Sequence, residues 1–181
     1  AGLAVDAGIS SIGSPTLPTC SLANVPVQVV VRNYGTDPLT SVDVNWSVAG
    51  VPQTTLSWTG TLAPYTDTLL TLGTYSFSNG NNLIVSTANP NMTTELPAGA
   101  FNDQQSLVVQ SGLSGVMTIG ATGNYMTFAD ALNALTLYGV CSAVTFNIQD
   151  GVYNEQLSLG EILGVDATNT ITFQSLNANP S

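Results

Sequence analysis

The sequence predicts a mainly β protein whose first part is an antiparallel β-sandwich. Apolar and polar residues alternate in several short segments, which is the period of two that a half-buried strand requires. Gly, Pro, Asn and Asp separate these segments at short intervals, as they do in sandwiches with many tight turns. Only one segment, residues 127–139, has helical spacing of its apolar residues.

Residues 1–110 contain seven predicted strands. The clearest alternation places Val27, Val29 and Val31 on one face of a strand, and Val42, Val44, Trp46 and Val48 on one face of the next. The predicted strands are 3–12, 25–33, 42–50, 53–60, 66–73, 82–90 and 105–110.

Four segments of this region carry a resemblance to a known family. They are "DAGISSI", "VQVVVRNYGTDPLTSVDVNWSV", "WTGTLAPYTD" and "FNDQQSLVV". Together they resemble the CARDB domains, which are adhesion-related immunoglobulin-like domains of bacteria. The resemblance implies that residues 1–110 form a seven-stranded immunoglobulin-like, or fibronectin-like, sandwich that acts as a spacer or binding module rather than as an enzyme.

The pattern changes after residue 110. Residues 111–126 are rich in glycine and are interpreted as a linker that includes a short strand, "VMTIG". In 127–139 the apolar residues fall on one helical face, with Thr127 as the N-cap and Gly139 as the stop. That face carries Phe128, Ala131, Leu132 and Leu135. Three further strands are predicted at 143–148, 155–160 and 169–176.

The last part of the chain resembles the beginning of right-handed parallel β-helix proteins of the pectin-lyase-like superfamily. The resemblance lies in "GNYMTFADALNAL", in "VTFNIQDGVYNEQLSL" with its Gly-x-Tyr-x-Glu turn, and in "NTITFQS". It implies that residues 127–181 are the capping helix and first coil of such a β-helix, as in exported multidomain surface proteins of the Bacteroidota. The catalytic residues of the superfamily's enzymes lie on later coils, so the resemblance assigns no catalytic residue to this chain.

The charge balance excludes several functions. Arg32 is the single cationic side chain against eleven acidic ones, there is no His, and the net charge is −10. Nucleic acid and anionic membrane surfaces both require clustered Lys and Arg. Without His, no Ser–His or Cys–His nucleophile can be assembled from this chain. No apolar run approaches the length of about 20 residues that spans a bilayer. We therefore expect no binding to nucleic acid and no membrane insertion, while the two resemblances imply an extracellular protein.

The stretch 143–160 carries three carboxylates and allows three interpretations. In the first interpretation, residues 150–155 are a corner of the coil, with Asp150 and Glu155 in water and Val152 and Tyr153 pointing to opposite sides. Alternatively, two of the carboxylates form an acid–base pair. A third possibility is a Ca²⁺ site, since this ion prefers oxygen ligands. Its candidate ligands are Asp150, Asn154, Glu155 and Asp166. "NPNMTTE" (89–95) and "FNDQQ" (101–105) are candidates for an ion in the sandwich.

Three smaller features suggest covalent modification or ligand binding. Cys20 and Cys141 either form a disulfide that joins the two domains or remain free thiols. Thr68 lies in Asp-Thr-Leu, which is similar to the short motif on which Bacteroidota O-glycosylate exported proteins. Trp46 and Trp58 are either a platform for a sugar or core residues of the sandwich.

A single coil of a β-helix leaves apolar side chains and unpaired backbone groups at its end. The separation of Val144 and Ile171 along the chain corresponds to about one coil. Three outcomes are open: the chain continues past Ser181, a second copy stacks on the end, or the segment folds back against the sandwich.

From these observations we expect a non-catalytic adhesion or structural module of an exported cell-surface protein. A glycan or a protein is its possible ligand, and no cofactor is expected apart from possible Ca²⁺. The alternatives are an accessory region of a polysaccharide-processing β-helix enzyme and a subunit of a self-assembling surface filament.

Overall fold

A computed structural model describes residues 2–177, and these residues are mainly β. They divide into two compact units, the first comprising residues 2–16 and 22–109 and the second residues 17–21 and 110–177. The chain therefore contributes a short early segment, 17–21, to the second unit before it completes the first.

The first unit consists of two antiparallel sheets. The strands are β1 (Ala7–Ser14), β2 (Val25–Asn33), β3 (Leu39–Val48), β4 (Val51–Pro52), β5 (Leu56–Leu62), β6 (Asp67–Tyr75), β7 (Asn81–Ala88) and β8 (Gln104–Val109). The first sheet has the order β1-β2-β6, and the second has the order β4-β3-β7-β8, with β5 also paired to β3. A single 3₁₀ turn, Pro90–Met92, follows β7.

Both sheets contribute to one hydrophobic core. Val27, Val29 and Val31 of β2 are fully buried, as are Val42 and Val44 of β3, because the alternation in each strand points these side chains inward. All belong to one contiguous cluster, which is the arrangement of two sheets packed face to face. Each of the seven predicted strands overlaps an observed one, with shifts of a few residues at their ends.

The second unit is built on a three-stranded parallel sheet. Its strands are β9 (Leu113–Ile119), β10 (Val140–Ile148) and β11 (Ile171–Ser175), in the order β11-β10-β9. The single α-helix, α1 (Phe128–Tyr138), connects β9 to β10, and residues 149–170 connect β10 to β11. Parallel strands require such crossover connections.

Helix α1 agrees with its sequence prediction. Thr127 is the N-cap and accepts a hydrogen bond from the Asp130 backbone N–H, while Gly139 ends the helix with a φ of 66°. The face predicted to be apolar packs on the core of the second unit, which centres on Phe146 and Leu135.

The predicted strand at 155–160 is absent, which corrects the sequence interpretation. These residues are in irregular structure, and Leu157 and Leu159 are exposed. A strand needs a neighbour to accept its backbone hydrogen bonds, and no described strand pairs with this segment. The apolar residues alternate there, but between residues 2 and 177 the segment has no pairing partner.

Cys20 and Cys141 form a disulfide with Cα atoms 5.3 Å apart. Both cysteines belong to the second unit, so the bond ties segment 17–21 to β10 and does not join the two units as one of the sequence hypotheses had it. Gly112 makes room for this bond, because a Cβ at that position would lie 2.6 Å from the Cys141 Sγ.

Candidate functional site

Glu155, a candidate catalytic and calcium-binding residue, binds the N-terminus of α1. Its Oε1 accepts the Phe128 backbone N–H at 3.2 Å, and its Oε2 accepts the Ala129 N–H at 2.9 Å. Thr127 and Asp130 complete a capping box on the same turn. A carboxylate is stabilised there because the first backbone amides of a helix lack partners within the helix and carry partial positive charge.

Within the rest of this turn, Tyr153 is the residue that packs against the core. The Tyr153 hydroxyl donates to the Gln149 carbonyl oxygen at 2.9 Å, and the Tyr153 ring contacts Phe128 edge-on, with ring centroids 5.2 Å apart. Val152 points the other way and is 86% exposed, as the corner interpretation predicts. The expectation that Glu155 stands in water is wrong, because the side chain is half-buried and doubly hydrogen-bonded.

The four candidate calcium ligands have different surroundings. Asp150, Asn154 and Glu155 line an open depression of about 490 Å³, but Asp166 is not among its lining residues. Asp166 accepts the backbone N–H groups of Thr168 and Asn169 at 2.7 Å each, and these hydrogen bonds lower the pKa of its carboxyl. Between residues 2 and 177, no three His, Cys, Asp or Glu side chains are placed to hold a metal ion. The calcium prediction therefore continues to rest on residue types alone.

A cluster of three carboxyl groups lies in the first unit. Glu95 is within hydrogen-bonding distance of both Asp103 and Asp6. Burial is the main cause that raises the pKa of Glu95, from 4.5 to about 8, and the hydrogen bonds and charges of Asp103 and Asp6 raise it further in the same direction. Carboxyl groups this close cannot all be ionised at neutral pH, so the cluster retains a proton there.

Neighbouring groups hold these carboxyls in place. The Ala7 backbone N–H donates to Glu95 Oε1 at 3.2 Å, and the Asn102 side-chain amide donates to Asp6 Oδ1 at 2.9 Å. Asp6 itself is only 8% exposed. The sequence indicated two of the three carboxyls, because Glu95 and Asp103 lie in "NPNMTTE" and "FNDQQ". It gave no signal for Asp6, which lies near the other end of the unit's sequence.

The two tryptophans do not form a shared sugar platform. Trp46 is a core residue, 6% exposed, whose indole N–H donates to the Thr54 carbonyl oxygen at 3.0 Å. Trp58 lies opposite Val42 across β3 and β5, so it shares the core-facing side of the sheet and is half-buried. It nevertheless lines a groove of about 350 Å³ that also contains Asp43.

Asp43 is the charged group of this groove. Its Oδ2 accepts from the Asn89 side-chain amide at 2.9 Å and its Oδ1 from the Ser57 hydroxyl at 2.6 Å, and these two bonds lower the pKa of the carboxyl. The groove thus combines an aromatic edge with fixed polar groups, a mixture that suits small polar ligands such as sugars.

The proposed modification site Thr68 lies in β6, where it is half-buried and paired with Val31. Its neighbour Asp67 binds the Arg32 guanidinium at 3.1 Å, and the same guanidinium lies over the Tyr34 ring. The one cationic side chain of the chain therefore bridges β2 and β6 at the surface of the first sheet.

The second unit has an apolar groove beside β11. Five side chains from α1, from the segment after β10 and from β11 line about 320 Å³. They are Phe128, Leu132, Leu157, Leu159 and Phe173. Exposed apolar side chains that gather in one groove mark an interaction surface more often than isolated ones do.

Comparisons with known proteins give one structural neighbour and no family. No family model matches the chain, and no curated protein matches it. The neighbour is a solution NMR structure of residues 272–376 of a "putative cell surface protein" from Methanosarcina acetivorans. It is 19% identical, has a TM-score of 0.47, and the match covers 62% of this chain and 96% of that one.

The chain carries no helix, between residues 2 and 177, with the length and apolar character that crossing a bilayer requires.

Proposed function

We propose that this chain is a non-catalytic structural or adhesion module of an exported cell-surface protein. Its first unit serves as a CARDB-like immunoglobulin-like sandwich, and its second unit serves as the start of a right-handed parallel β-helix. The observation that carries the proposal is the parallel sheet β11-β10-β9, in which each strand returns to the sheet through a crossover in the same chain. Solenoid coils stack strands in this way.

The disulfide supports export. Disulfides persist in oxidising compartments and are rare in the cytosol, and this one joins residues far apart in sequence. The acidic, nearly cation-free composition also suits a protein that stays soluble and does not bind polyanions.

The turn at 150–155 supports a role without catalysis. The carboxylate of Glu155 is engaged by two backbone amides, and the Tyr153 hydroxyl is engaged by a carbonyl oxygen. These partners give both side chains a structural role at the start of α1, which supports the proposal.

Two measurements test the proposal together: whether the protein lies outside the cell, and whether it degrades a glycan. Protease treatment of intact cells that produce the protein should release its fragments, because the proposal places it outside the cell. The purified protein should leave pectin and related glycans unchanged. Intracellular protection from the protease, or steady turnover of a glycan, contradicts the proposal.

One observation favours a second candidate function, in which this chain itself processes a polysaccharide rather than being an accessory region of a β-helix enzyme. The carboxyl of Glu95 keeps its proton at neutral pH, because its pKa is raised to about 8, and such a group is what general acid catalysis requires. If turnover of a glycan is found, Glu95→Gln should abolish it, while Glu161→Gln, a change at an exposed residue of the second unit, should not.

A further inference from the structure

Two strands of the parallel sheet carry the same order of side-chain types. Residues 144–147 are Val-Thr-Phe-Asn and residues 171–174 are Ile-Thr-Phe-Gln, so both segments present a β-branched residue, threonine, phenylalanine and an amide. Each residue of the first segment lies directly opposite its counterpart in the second. The sequence repeat is therefore also a spatial one.

The counterparts interact. The rings of Phe146 and Phe173 stack with centroids 5.0 Å apart and an angle of 15° between their planes. The Gln174 side-chain amide donates to Asn147 Oδ1 at 2.8 Å, across 27 positions of sequence. In parallel strands that pair in register, like side chains stack on one another. The phenylalanine of an added strand with the same pattern would therefore stack on Phe173, as Phe173 does on Phe146, and its amide would bond to Gln174.

The outer edge of β11 is available for such a strand. Thr170 accepts a backbone hydrogen bond from Val144, and Leu176 donates one to Ile148, so the even-numbered residues of this stretch face β10. The N–H and C=O groups of Ile171, Phe173 and Ser175 consequently point away from β10. Among the residues that the structure describes, no strand pairs with this edge.

The opposite edge of the sheet is covered at Thr118. On β9, the Thr118 backbone N–H donates to Asn124 Oδ1 at 2.9 Å, and the Thr118 carbonyl oxygen accepts the Tyr125 N–H at 3.1 Å. A turn of the chain itself thus occupies the N–H and C=O groups of Thr118, which a further strand at this position would need. Identical copies stacked head to tail would have to bring this covered position against β11, which argues against the filament alternative.

We propose that the β11 edge, together with the adjoining apolar groove, binds an extended segment with the pattern β-branched residue, threonine, phenylalanine, amide, added parallel to β11. The occupant's phenylalanine stacks on Phe173 and its amide hydrogen-bonds to Gln174. Its neighbouring apolar side chains cover Leu157 and Leu159, which are exposed at this end. This inference deepens the proposed structural role and rests on it.

The probe is a peptide with the sequence of residues 169–177, NTITFQSLN, and the control peptide exchanges two residues to give NTITQFSLN. The exchange keeps the composition but moves the aromatic ring to the other face of the strand. Amide hydrogen exchange of the full chain is measured with each peptide at roughly millimolar concentration. With the probe, the amides of Ile171, Phe173 and Ser175 should exchange roughly tenfold more slowly, and with the control peptide their rates should not change.

Variants of the protein separate strand addition from unspecific binding in the groove. Ser175→Pro removes one outward N–H without removing a bond to β10, so it should abolish the protection. Ser175→Ala keeps the N–H and should behave as the wild type. If Ser175→Pro disturbs α1 or β10, Gln174→Ala serves instead and should weaken binding of the probe.

Equal protection by both peptides, or undiminished protection in Ser175→Pro, overturns the inference. Failure of the probe to bind also overturns it. Neither result bears on surface exposure or glycan turnover, which test the proposed function separately.

Discussion

Replacing Glu155 by alanine should destabilise the second unit without affecting any reaction. The substitution removes both carboxylate oxygens from the backbone amides of Phe128 and Ala129, which lie 3.2 and 2.9 Å away. Those two amides are at the start of α1, where the helix itself offers them no partner. The loss of these hydrogen bonds therefore destabilises α1 and the segment that follows β10.

The magnitude follows from the two hydrogen bonds. A hydrogen bond to a charged group contributes about 1.5–3 kcal/mol, and a surface charge at a helix end about 0.3–1 kcal/mol. Glu155 is half-buried, and water can replace part of what is lost, so we expect a total of about 2 kcal/mol. For a protein of this size, that corresponds to a fall in Tm of roughly 4–8 °C.

Thermal unfolding followed by the helical signal of α1 measures the effect. Glu155→Gln keeps one strong acceptor oxygen and should lose roughly half as much stability as Glu155→Ala. Glu161→Ala changes an exposed glutamate a few positions along the chain and should leave the Tm nearly unchanged. If Glu155→Ala unfolds at the same temperature as Glu161→Ala, the carboxylate does not hold the helix, and the corner interpretation loses its main contact.

Three further predictions concern the carboxyl cluster and the disulfide. Folding raises the pKa of Glu95 from 4.5 to about 8, so the stability that protonated Glu95 contributes is complete below pH 4.5 and is lost as the pH rises through about 8. Urea denaturation from pH 5 to 9 should show this fall in the free energy of unfolding in the wild type and in Glu161→Gln. The fall should be smaller in Glu95→Gln. Replacing Cys20 and Cys141 together by serine should lower the free energy of unfolding by roughly 4–5 kcal/mol in the chain-entropy model, since the disulfide closes a loop across 121 positions. A Tm of the wild type that reductant leaves unchanged would contradict this. Gly112→Ala should lower the Tm by an amount that corresponds to roughly 1–3 kcal/mol, because the added Cβ would lie 2.6 Å from Cys141 Sγ. Gly160→Ala is the control and should leave the Tm unchanged, because no atom lies within 4 Å of an added Cβ there.

Local patterns predicted the elements well. The alternation of valines in 25–33 and the apolar face of 127–139 each correspond to an observed strand or helix, with Thr127 and Gly139 at the expected ends. These features follow from interactions between residues that are close in sequence, and such interactions can be read from a single chain.

Contacts between distant segments could not be predicted in the same way. Nothing in the sequence places Asp6 beside Glu95, or the Glu155 carboxylate on the amides of α1, because both arrangements depend on how complete strands and turns pack. The alternating residues 155–160 predicted a strand that lacks a partner, which shows that periodicity indicates a capacity to pair and not the pairing itself.

The role given to the second unit requires that β10 and β11 are parallel and in register, and that no described strand pairs with the outer edge of β11. Nuclear Overhauser contacts between the backbones of the two strands measure this arrangement. We expect contacts that advance in the same direction along both strands, from Val144 opposite Ile171 to Ile148 opposite Ser175. Contacts that run in opposite directions, or a register in which Phe146 does not face Phe173, would contradict it.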